Sequence, residues 1–377
     1  MLKRIYIDNF RCFVNFELHL EKVSLLLGAN GSGKTSIFNI LERIQRLVSD
    51  GEKISDLFKN ESLTRWRTDS LLQKIELDVS GNDGTYRYSL EVEHSSNRQV
   101  TRIRNESLFF NTQQLYCFRI ETDETGAAVS TAHLYNDNPE HPGIVLPFDW
   151  TRSGLYIIQE RHDNKKLTWF RNWLEHLVVA GIDPHVMHAE TRKPRTRPAW
   201  DMSDYADWFD HLADEYRREV SLLERELRKI IGGFDIFRFQ KAGEAKILKA
   251  EFTDNTMFRI DELSDGQRVL IALYTLLYCL PEYGNTLCVD EPESFLALPE
   301  IQPWLDTLSD RLEDIPLQII LISHHPRIIN YLAGSAGFWF SRPENKHIRI
   351  QRITDREDTG MSVARLIELG WIYDETG

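Results

Sequence analysis

Residues 28–35 read GANGSGKT, and this stretch decides the fold class. It fits the pattern GxxxxGK[ST], in which glycines let the backbone wrap a phosphate so that consecutive N–H groups point inward. The apolar run VSLLLG at residues 23–28 predicts a buried strand, and apolar residues at helical spacing from Lys34 to Val48 predict a helix. A strand before and a helix after are the context that this loop requires. The sequence therefore predicts a site for a nucleoside triphosphate.

Within this loop, Lys34 is expected to reach the β- and γ-phosphates, and the Thr35 hydroxyl is expected to ligate Mg²⁺. The helix that starts here adds the positive end of its dipole. The loop residues predicted to bind the nucleotide are Asn30, Gly31, Ser32, Gly33, Lys34, Thr35 and Ser36. Kinases, GTPases and motor ATPases all use such a loop, so further motifs have to separate these classes.

An acidic pair follows a second apolar strand. Residues 286–291 read TLCVDE, and a strand of a P-loop sheet that ends in acids can place them beside the phosphates. Asp290 is expected to hold Mg²⁺ through water, and Glu291 is expected to polarise the attacking water as a general base. Because a phosphate loop stands in the same chain, the acidic pair is a stronger indication of a nucleotide site than it would be alone.

The stretch LSDGQ at residues 263–267 lies directly before an apolar helical run. Ser264 and Gln267 have the spacing of a capping box, which satisfies the first N–H groups of a helix. A serine hydroxyl, the small Gly266 and a helix N-terminus also make a cradle for a γ-phosphate. The two interpretations are compatible, because the capping box can hold the cradle.

A histidine loop completes the set. Residues 323–326 read SHHP and follow the apolar strand QIILI. In this order after the acidic pair, His324 is expected to contact a γ-phosphate and to sense its hydrolysis.

These motifs together resemble a known family. GANGSGKT, LSDGQ, LCVDEPE and the SHHP loop look like the Walker A, ABC signature, Walker B and switch-histidine motifs. The opening IDNFRCF at residues 7–13 resembles the start of RecF, SMC and OLD-type ATPases, a group that includes small prokaryotic "AAA family" ATPases. The resemblance implies an α/β P-loop NTPase of ABC-ATPase type with a β-meander lobe and a helical insertion. It covers residues 1–48, about 150–180 and 255–340.

The resemblance also implies cofactors and an assembly. ATP and Mg²⁺ are the implied cofactors, and Arg11 is expected to approach the phosphates. In the implied homodimer or higher oligomer, Ser264 of one subunit closes on ATP held by Lys34 of the other. A glutamine is expected to link Mg²⁺ to the variable lobe, and we assign it to Gln159, with Gln73 as the alternative.

The chain departs from the family after the acidic pair. Small RecF- and OLD-like ATPases commonly read EPE-x-x-LHP there, whereas residues 291–299 read EPESFLALP and contain no histidine. The residues after 340 hold no acidic cluster suited to a TOPRIM nuclease, so we expect no OLD-type nuclease in this chain.

The predicted organisation has three parts. Residues 1–182 form the first half of the ATPase lobe with a β-meander, residues 183–250 form a helical insertion, and residues 251–377 form the second half. The stretch GNDG at residues 81–84 is a hairpin signal within the meander. Residues 205–231 predict one long amphipathic helix.

Composition narrows the function classes. The chain has 377 residues, 42% of them apolar, and a net charge of −13, which excludes a disordered chain and a surface built to coat nucleic acid. The basic run RKPRTR at residues 192–197 could track a DNA backbone, although a solvated loop is the simpler interpretation. The HxxH spacing at residues 185–188 has no evident third ligand and predicts no metal site.

Three features of the sequence favour a cytoplasmic protein without a membrane span. The four cysteines show no CxxC spacing, no signal peptide opens the chain, and the longest apolar run has 12 residues.

The leading hypothesis is ATP hydrolysis as a conformational switch. By analogy with the family, we expect coupling to a separate, nuclease-like effector protein in anti-phage defence. The alternative is a DNA repair or recombination ATPase of RecF type that binds DNA directly. A transporter's ATPase subunit would need a membrane partner, and the IDNFRCF opening and the insertion after Gln159 disfavour it.

Overall fold

The computed structural model describes residues 1–67, 69–95, 100–122, 128–280, 286–343, 347–353 and 361–370. The chain forms two compact units, and neither is continuous in sequence. The first unit comprises Met1–Val23, Gly28–Leu177 and Trp339–Gln351. The second comprises Ser24–Leu27, Val178–Phe338 and the described residues from Arg352 onward.

The first unit is built on an antiparallel sheet. Its strands are β1 (Leu2–Asp8), β2 (Phe16–His19), β4 (Leu72–Gly81), β5 (Gly84–His94), β6 (Thr101–Phe110), β7 (Gln113–Thr122), β8 (Ala128–Leu134) and β9 (Ile144–Pro147). Its helices are α1 (Lys34–Ser49), α2 (Ile54–Leu57), α3 (Gly154–Ile157) and α4 (Lys165–Glu175). The strand order is β2-β1-β4-β5-β6-β7-β8-β9, so that the strands from β4 onward form the predicted meander.

The hairpin between β4 and β5 is the one that the sequence predicts. Gly81 pairs with Gly84, and the two residues between them, Asn82 and Asp83, have φ values of 52° and 57°. Positive φ at both central residues is the geometry of a type I′ turn, which matches the twist of the strands it joins. The turn thereby sets the register of the meander.

Helix α4 packs on the meander through aromatic side chains. The ring of Tyr86 on β5 stacks on Trp169 at a centroid distance of 4.8 Å, and Tyr88 stacks on Phe170 at 5.6 Å. Both tyrosines are fully buried. Aromatic pairs at these distances stabilise a fold beyond the area that they bury.

A second sheet contains parallel strands. The strands of this sheet are β3 (Val23–Gly28), β10 (Val178–Ala180), β15 (Thr286–Asp290), β16 (Gln318–Ile322), β17 (Gly337–Ser341) and β18 (Arg349–Arg352), and their order is β10-β15-β16-β3-β17-β18. β15 runs parallel to both β10 and β16, with Asp290 opposite Ile322. Since parallel strands end at a common edge, the turns that follow β15 and β16 lie side by side. The sheet confirms the predicted α/β class.

The second unit contains a smaller sheet and, among its described residues, six α-helices. The strands of the smaller sheet are β11 (Glu190–Thr191), β12 (Phe234–Ala242), β13 (Ala245–Phe252) and β14 (Met257–Arg259). The helices are α5 (Tyr205–Glu215), α6 (Arg217–Ile230), α7 (Asp265–Tyr278), α8 (Leu298–Asp314), α9 (Pro326–Ala336) and α10 (Val363–Glu368). Helix α7 is apolar on nearly all sides and is buried over most of its length.

Two sequence predictions about the segment 183–250 are wrong in detail. The long helix predicted over residues 205–231 is divided into α5 and α6 at Tyr216, whose φ of −122° and ψ of 47° are not helical. The segment is also not wholly helical, because β12 and β13 pair as an antiparallel hairpin within it. The division of the chain at residues 182 and 250 stays a prediction.

Two further features bear on the protein's environment. Cys12, Cys117, Cys279 and Cys288 are all buried, free thiols. Among the described residues, none of the helices combines the length and the apolar character that a membrane crossing demands.

Candidate functional site

The loop after β3 has a backbone that only glycine adopts without strain. Gly28, Gly31 and Gly33 have φ values of 145°, 78° and 97°. A Cβ atom at Gly28 would lie 2.3 Å from the carbonyl oxygen of Phe340, which is main chain and cannot swing aside. Space and conformation therefore both require glycine at this position.

The ammonium group of Lys34 is folded back onto the loop. Its Nζ donates to the carbonyl oxygens of Gly28 at 2.7 Å and Ala29 at 3.1 Å, and the residue is only 6% exposed. A buried cation inside a loop of left-handed glycines is suited to an anion such as phosphate. The residues present thus fit the nucleotide that the motif predicts, and Asn30, Gly31 and Thr35 line the loop's exposed side.

Helix α1 starts without a side-chain cap. Its N-cap is Gly33, which makes no side-chain hydrogen bond, and the N–H of Ser36 donates to the carbonyl of Gly33 at 3.0 Å. The helix therefore presents the positive end of its dipole to the loop.

Arg11 is brought against this loop by the turn that follows β1. Its N–H donates to the carbonyl of Ser62 at 2.6 Å, and its Nη1 donates to Ser36 Oγ at 3.1 Å. The next residue, Cys12, packs so closely that a Cβ at Gly33 would lie 2.9 Å from its Sγ. Burial raises the pKa of the Cys12 thiol, which keeps it protonated and apolar. Arg11 thus lies against the first turn of α1, and its approach to the phosphates stays a prediction.

The two glutamines considered for the Mg²⁺ link have different surroundings. Gln73 is fully buried, and its Nε2 donates to the carbonyl of Asn9 at 2.9 Å. Its Oε1 pairs with His94 Nε2 at 2.9 Å, so both ends of the amide are engaged inside the first unit. Gln159 is exposed beyond α3, and its carbonyl accepts from Asn164 Nδ2 at 2.9 Å. Burial disfavours Gln73 as a ligand, and the assignment to Gln159 stays a prediction.

In the second unit, the LSDGQ stretch forms the capping box that the sequence predicts. Ser264 Oγ accepts from the N–H of Gln267 at 3.3 Å, and Gln267 Oε1 accepts from the N–H of Ser264 at 3.1 Å. The Ser264 hydroxyl also donates to Gln267 Oε1 at 3.1 Å. Gly266 lies beside the next turn, since a Cβ there would be 3.2 Å from the carbonyl oxygen of Phe295.

The acidic pair lies at the end of β15. Asp290 is the last residue of the strand, and Glu291 follows with a left-handed φ of 49°. The N–H of Glu291 donates to the carbonyl of Ile322 at 2.8 Å, which holds this sparsely populated conformation in place.

The structure brings the predicted switch histidine to this pair. His324 Nε2 lies 4.0 Å from Glu291 Oε1, and the two side chains are 43% and 49% exposed. Glu291 and His324 come from turns after two neighbouring strands, β15 and β16, so the sheet topology creates the approach. A carboxylate and an imidazole at this distance are chemically able to exchange or share a proton through a bridging water.

The basic loop at residues 192–197 is partly neutralised within the second unit. Arg192 Nε lies 2.8 Å from Glu190 Oε1, and Arg195 Nη1 lies 3.5 Å from Asp204 Oδ2. Among the residues that the structure describes, no group of three or more His, Cys, Asp or Glu side chains could hold a metal ion.

Comparison with known proteins finds two family models and solved structures of similar fold. The model described as "AAA ATPase domain" matches residues 1–139, and the model described as "AAA domain, putative AbiEii toxin, Type IV TA system" matches residues 158–330. No curated protein sequence matches the chain. An SMC head bound to the C-winged helix domain of ScpA is similar in fold, with a TM-score of 0.51 at 12% identity over 93% of this chain and 98% of that chain. The SMC head domain from Thermotoga maritima aligns over 94% of this chain and 99% of that one, with a TM-score of 0.48 and 13% identity.

Two AAA family models thus match the chain, one in each half, and its fold is that of an SMC head domain.

Sequence reasoning missed Glu293. Its Oε1 accepts from Ser323 Oγ at 2.8 Å and from the N–H of His324 at 2.9 Å, so it ties the histidine loop to the turn after β15. The contact joins residues distant in the chain, and no local pattern announces it. The sequence did hold one signal for it, because residues 291–293 read EPE and Glu293 directly follows the predicted base Glu291 and Pro292.

The turn after β15 also places an aromatic side chain, that of Phe295, near the start of α7. Phe295 has a left-handed φ of 71° and is 48% exposed. Its ring meets the imidazole of His185 edge-on at 5.3 Å, and the same imidazole lies 3.6 Å from Asp265 Oδ1. An aromatic contact thus borders the start of α7 on this side.

Proposed function

We propose that this ATPase hydrolyses ATP with Mg²⁺ and uses the reaction as a conformational switch. The observation that carries the proposal is the 4.0 Å approach of His324 Nε2 to Glu291 Oε1, because it joins a candidate base to a candidate phosphate sensor. A structural role alone would not require an exposed glutamate with left-handed backbone at that position.

Each motif has a separate role in the proposed reaction. Lys34 and the N–H groups of the loop hold the β- and γ-phosphates, and Arg11 approaches them from the neighbouring turn. Glu291 accepts a proton from the attacking water, and His324 contacts the γ-phosphate. Mg²⁺, when bound, neutralises charge that develops on the phosphate oxygens, and the residues proposed to hold it are Thr35, Asp290 and Gln159.

The proposed working form is a homodimer or higher oligomer with composite ATP sites. Ser264, Gly266 and Gln267 of one subunit would complete the site at Lys34 of another. Support comes from the exposed position of Ser264 at the start of α7, where a hydroxyl and N–H groups are available at the surface. ATP would then favour the closed assembly, and hydrolysis would release it.

We further propose that the switch acts on a separate, nuclease-like effector in anti-phage defence. The name of the family model that matches residues 158–330 mentions a toxin of a type IV toxin–antitoxin system, which supports a role in a multi-component system. Direct DNA binding, as in RecF-type repair, is the alternative. The pairing of Arg192 with Glu190 and of Arg195 with Asp204 favours the effector proposal, since it leaves less cationic surface for a phosphate backbone.

Hydrolysis of ATP by the purified protein tests the proposal, with Glu291→Gln as the variant. We expect the variant to lose about 100-fold or more in kcat and to accumulate ATP-dependent dimers in light scattering. Glu313→Gln is the matched control, because it makes the same change at an exposed position in α8. Equal hydrolysis by wild type and Glu291→Gln would overturn the assignment.

The same assay with duplex DNA separates the two roles. An effector-coupled switch is expected to hydrolyse ATP at a rate that DNA does not change. Stimulation by DNA, lost when the basic residues of 192–197 are neutralised, would favour the repair alternative.

A further inference from the structure

The turn after β15 carries a second glutamate, Glu293, whose carboxylate accepts hydrogen bonds from the histidine loop. Glu293 Oε1 accepts two hydrogen bonds, from Ser323 Oγ at 2.8 Å and from the N–H of His324 at 2.9 Å. Glu293 follows β15 and both donors follow β16. One oxygen atom therefore fixes the spacing of the turns at the ends of two neighbouring parallel strands.

The bonded chain continues into α9. Ser323, which is fully buried, also accepts from the N–H of His325 at 3.0 Å. His325 Nδ1 in turn accepts from the N–H of Arg327 at 3.1 Å and caps the helix. The main chain of His324 is thus held on both sides by a series of bonds that begins at Glu293.

The backbone position of His324 depends on this series, and the side chain starts from that backbone. The side chain is 43% exposed. Its Nε2 lies 4.0 Å from Glu291 Oε1. A shift of the loop by 1 Å, which is about the size of change that costs an enzyme 100-fold in rate, would alter that approach.

The second oxygen of the same carboxyl group contributes no contact. Glu293 Oε2 is buried and has no hydrogen-bond partner among the described residues. Burying an unpaired polar atom is unfavourable. The two hydrogen bonds that Oε1 accepts are therefore what the Glu293 side chain contributes at this position.

We propose that Glu293 is a positioning residue for the hydrolysis step, which holds His324 beside Glu291. It acts through Ser323 and the main chain of His324. The inference rests on the proposed function, in which Glu291 and His324 act on the γ-phosphate.

A double-mutant cycle tests the proposal. Glu293→Ala and Glu293→Gln are each made in the wild-type chain and in a His324→Ala chain, and kcat and KM for ATP are measured. We expect Glu293→Ala to lower kcat by roughly tenfold or more in the wild-type chain, with KM within about twofold. Glu293→Gln should retain most of the rate, because its carbonyl oxygen accepts both bonds. In the His324→Ala chain, Glu293→Ala should change kcat by less than about twofold.

Other results would overturn the proposal. An equal loss of kcat in both backgrounds would show that Glu293 acts independently of His324, and a wild-type rate in Glu293→Ala would show that it has no role. If a thermal melt shows that Glu293→Ala does not fold, Ser323→Ala replaces it in the same double-mutant cycle. This variant removes one of the two donors to Glu293 Oε1, and the same outcomes support or overturn the proposal.

The outcome for Glu291→Gln keeps the two proposals distinguishable. Full hydrolysis by Glu291→Gln means that the proposed function itself fails. Loss of hydrolysis in Glu291→Gln together with a normal rate in Glu293→Ala means that the positioning role alone fails.

Discussion

Helices α1 and α7 both begin at a predicted phosphate-binding motif, yet their first turns are built in different ways. The start of α1 has a left-handed glycine as N-cap, no side-chain cap, and main-chain neighbours packed against the loop. The start of α7 has Ser264 and Gln267 satisfying each other's groups within four residues. The first is shaped by tertiary packing, whereas the second is shaped by its own sequence.

This difference has a consequence for ligand binding. The first N–H groups of α1 have no side-chain cap, so a phosphate meets no side-chain competitor for them there. At α7, a phosphate has to compete with Gln267 for the Ser264 hydroxyl. We therefore expect ATP to bind first at the phosphate loop and the signature turn to engage afterwards.

The largest effect is expected from Gly28→Ala, which adds a Cβ to the tightly packed loop before α1. Its Cβ would meet the Phe340 carbonyl oxygen at 2.3 Å, so the loop has to move, and we expect ATP affinity to fall by about 100-fold or more. Gly31→Ala is the matched control, because a Cβ there meets nothing within 4 Å while φ is also left-handed, at 78°. Backbone strain of about 1–2 kcal/mol alone corresponds to a loss of roughly tenfold.

Equilibrium titration with a fluorescent ATP analogue measures both variants. Equal losses in Gly28→Ala and Gly31→Ala would show that backbone strain decides the affinity and that the packing of the loop does not.

An intermediate effect is expected from substitutions of Ser264, which caps the start of α7. Ser264→Ala removes the cap and the hydroxyl together, and should cost about 1 kcal/mol of stability as well as ATP-dependent self-association. Ser264→Asp keeps an efficient cap but places a carboxylate where a γ-phosphate would bind. We expect it to melt like the wild type and still fail to self-associate with ATP in light scattering.

Self-association of Ser264→Asp at the wild-type level would mean that this turn serves only to cap α7. Loss of stability in Ser264→Asp would instead show that the capping box needs a hydroxyl.

The smallest effect concerns the buried contacts that support the first unit. Glu106 on β6 is fully buried, and its Oε1 accepts from Tyr88 at 2.8 Å and from Ser153 Oγ at 2.6 Å. Burial raises the pKa of Glu106 above its ordinary value of 4.5. Because the folded state holds the proton more tightly, its contribution to stability is full below pH 4.5 and is lost as the pH rises through the folded pKa.

Glu106→Gln should remove this dependence, which amounts to at most about 1.4 kcal/mol per pH unit for one proton. Urea unfolding followed by circular dichroism between pH 4 and 8 measures the slope, with the exposed Glu244→Gln as control. An unchanged slope in Glu106→Gln would show that another group carries the pH dependence.

The sequence predicted the local features of both units well. The strand at residues 23–28, the helix from Lys34, the hairpin at residues 81–84 and the capping box at Ser264 are all confirmed, because each depends on residues close in the chain. The break at Tyr216 was missed, since the apolar spacing continues across it while the backbone does not.

Features that depend on contacts between distant parts of the chain could not be predicted from the sequence. The β12–β13 hairpin lay inside a segment interpreted as helical, although its residues alternate and Gly243 marks the turn with a φ of 65°. The burial of Gln73 rests on Asn9, Ser62 and His94, which are distant from one another in the chain. The use of Glu293 rests on a strand order that no local spacing reveals.

The four buried thiols give each unit its own reporter of opening. Cys12 and Cys117 belong to the first unit, and Cys279 and Cys288 belong to the second. A thiol reagent reaches a buried cysteine only when the surrounding structure opens, so the rate of labelling at each site measures local unfolding. Since Cys12 packs against Gly33, its protection in the presence of nucleotide reads the phosphate loop directly, without any engineered probe.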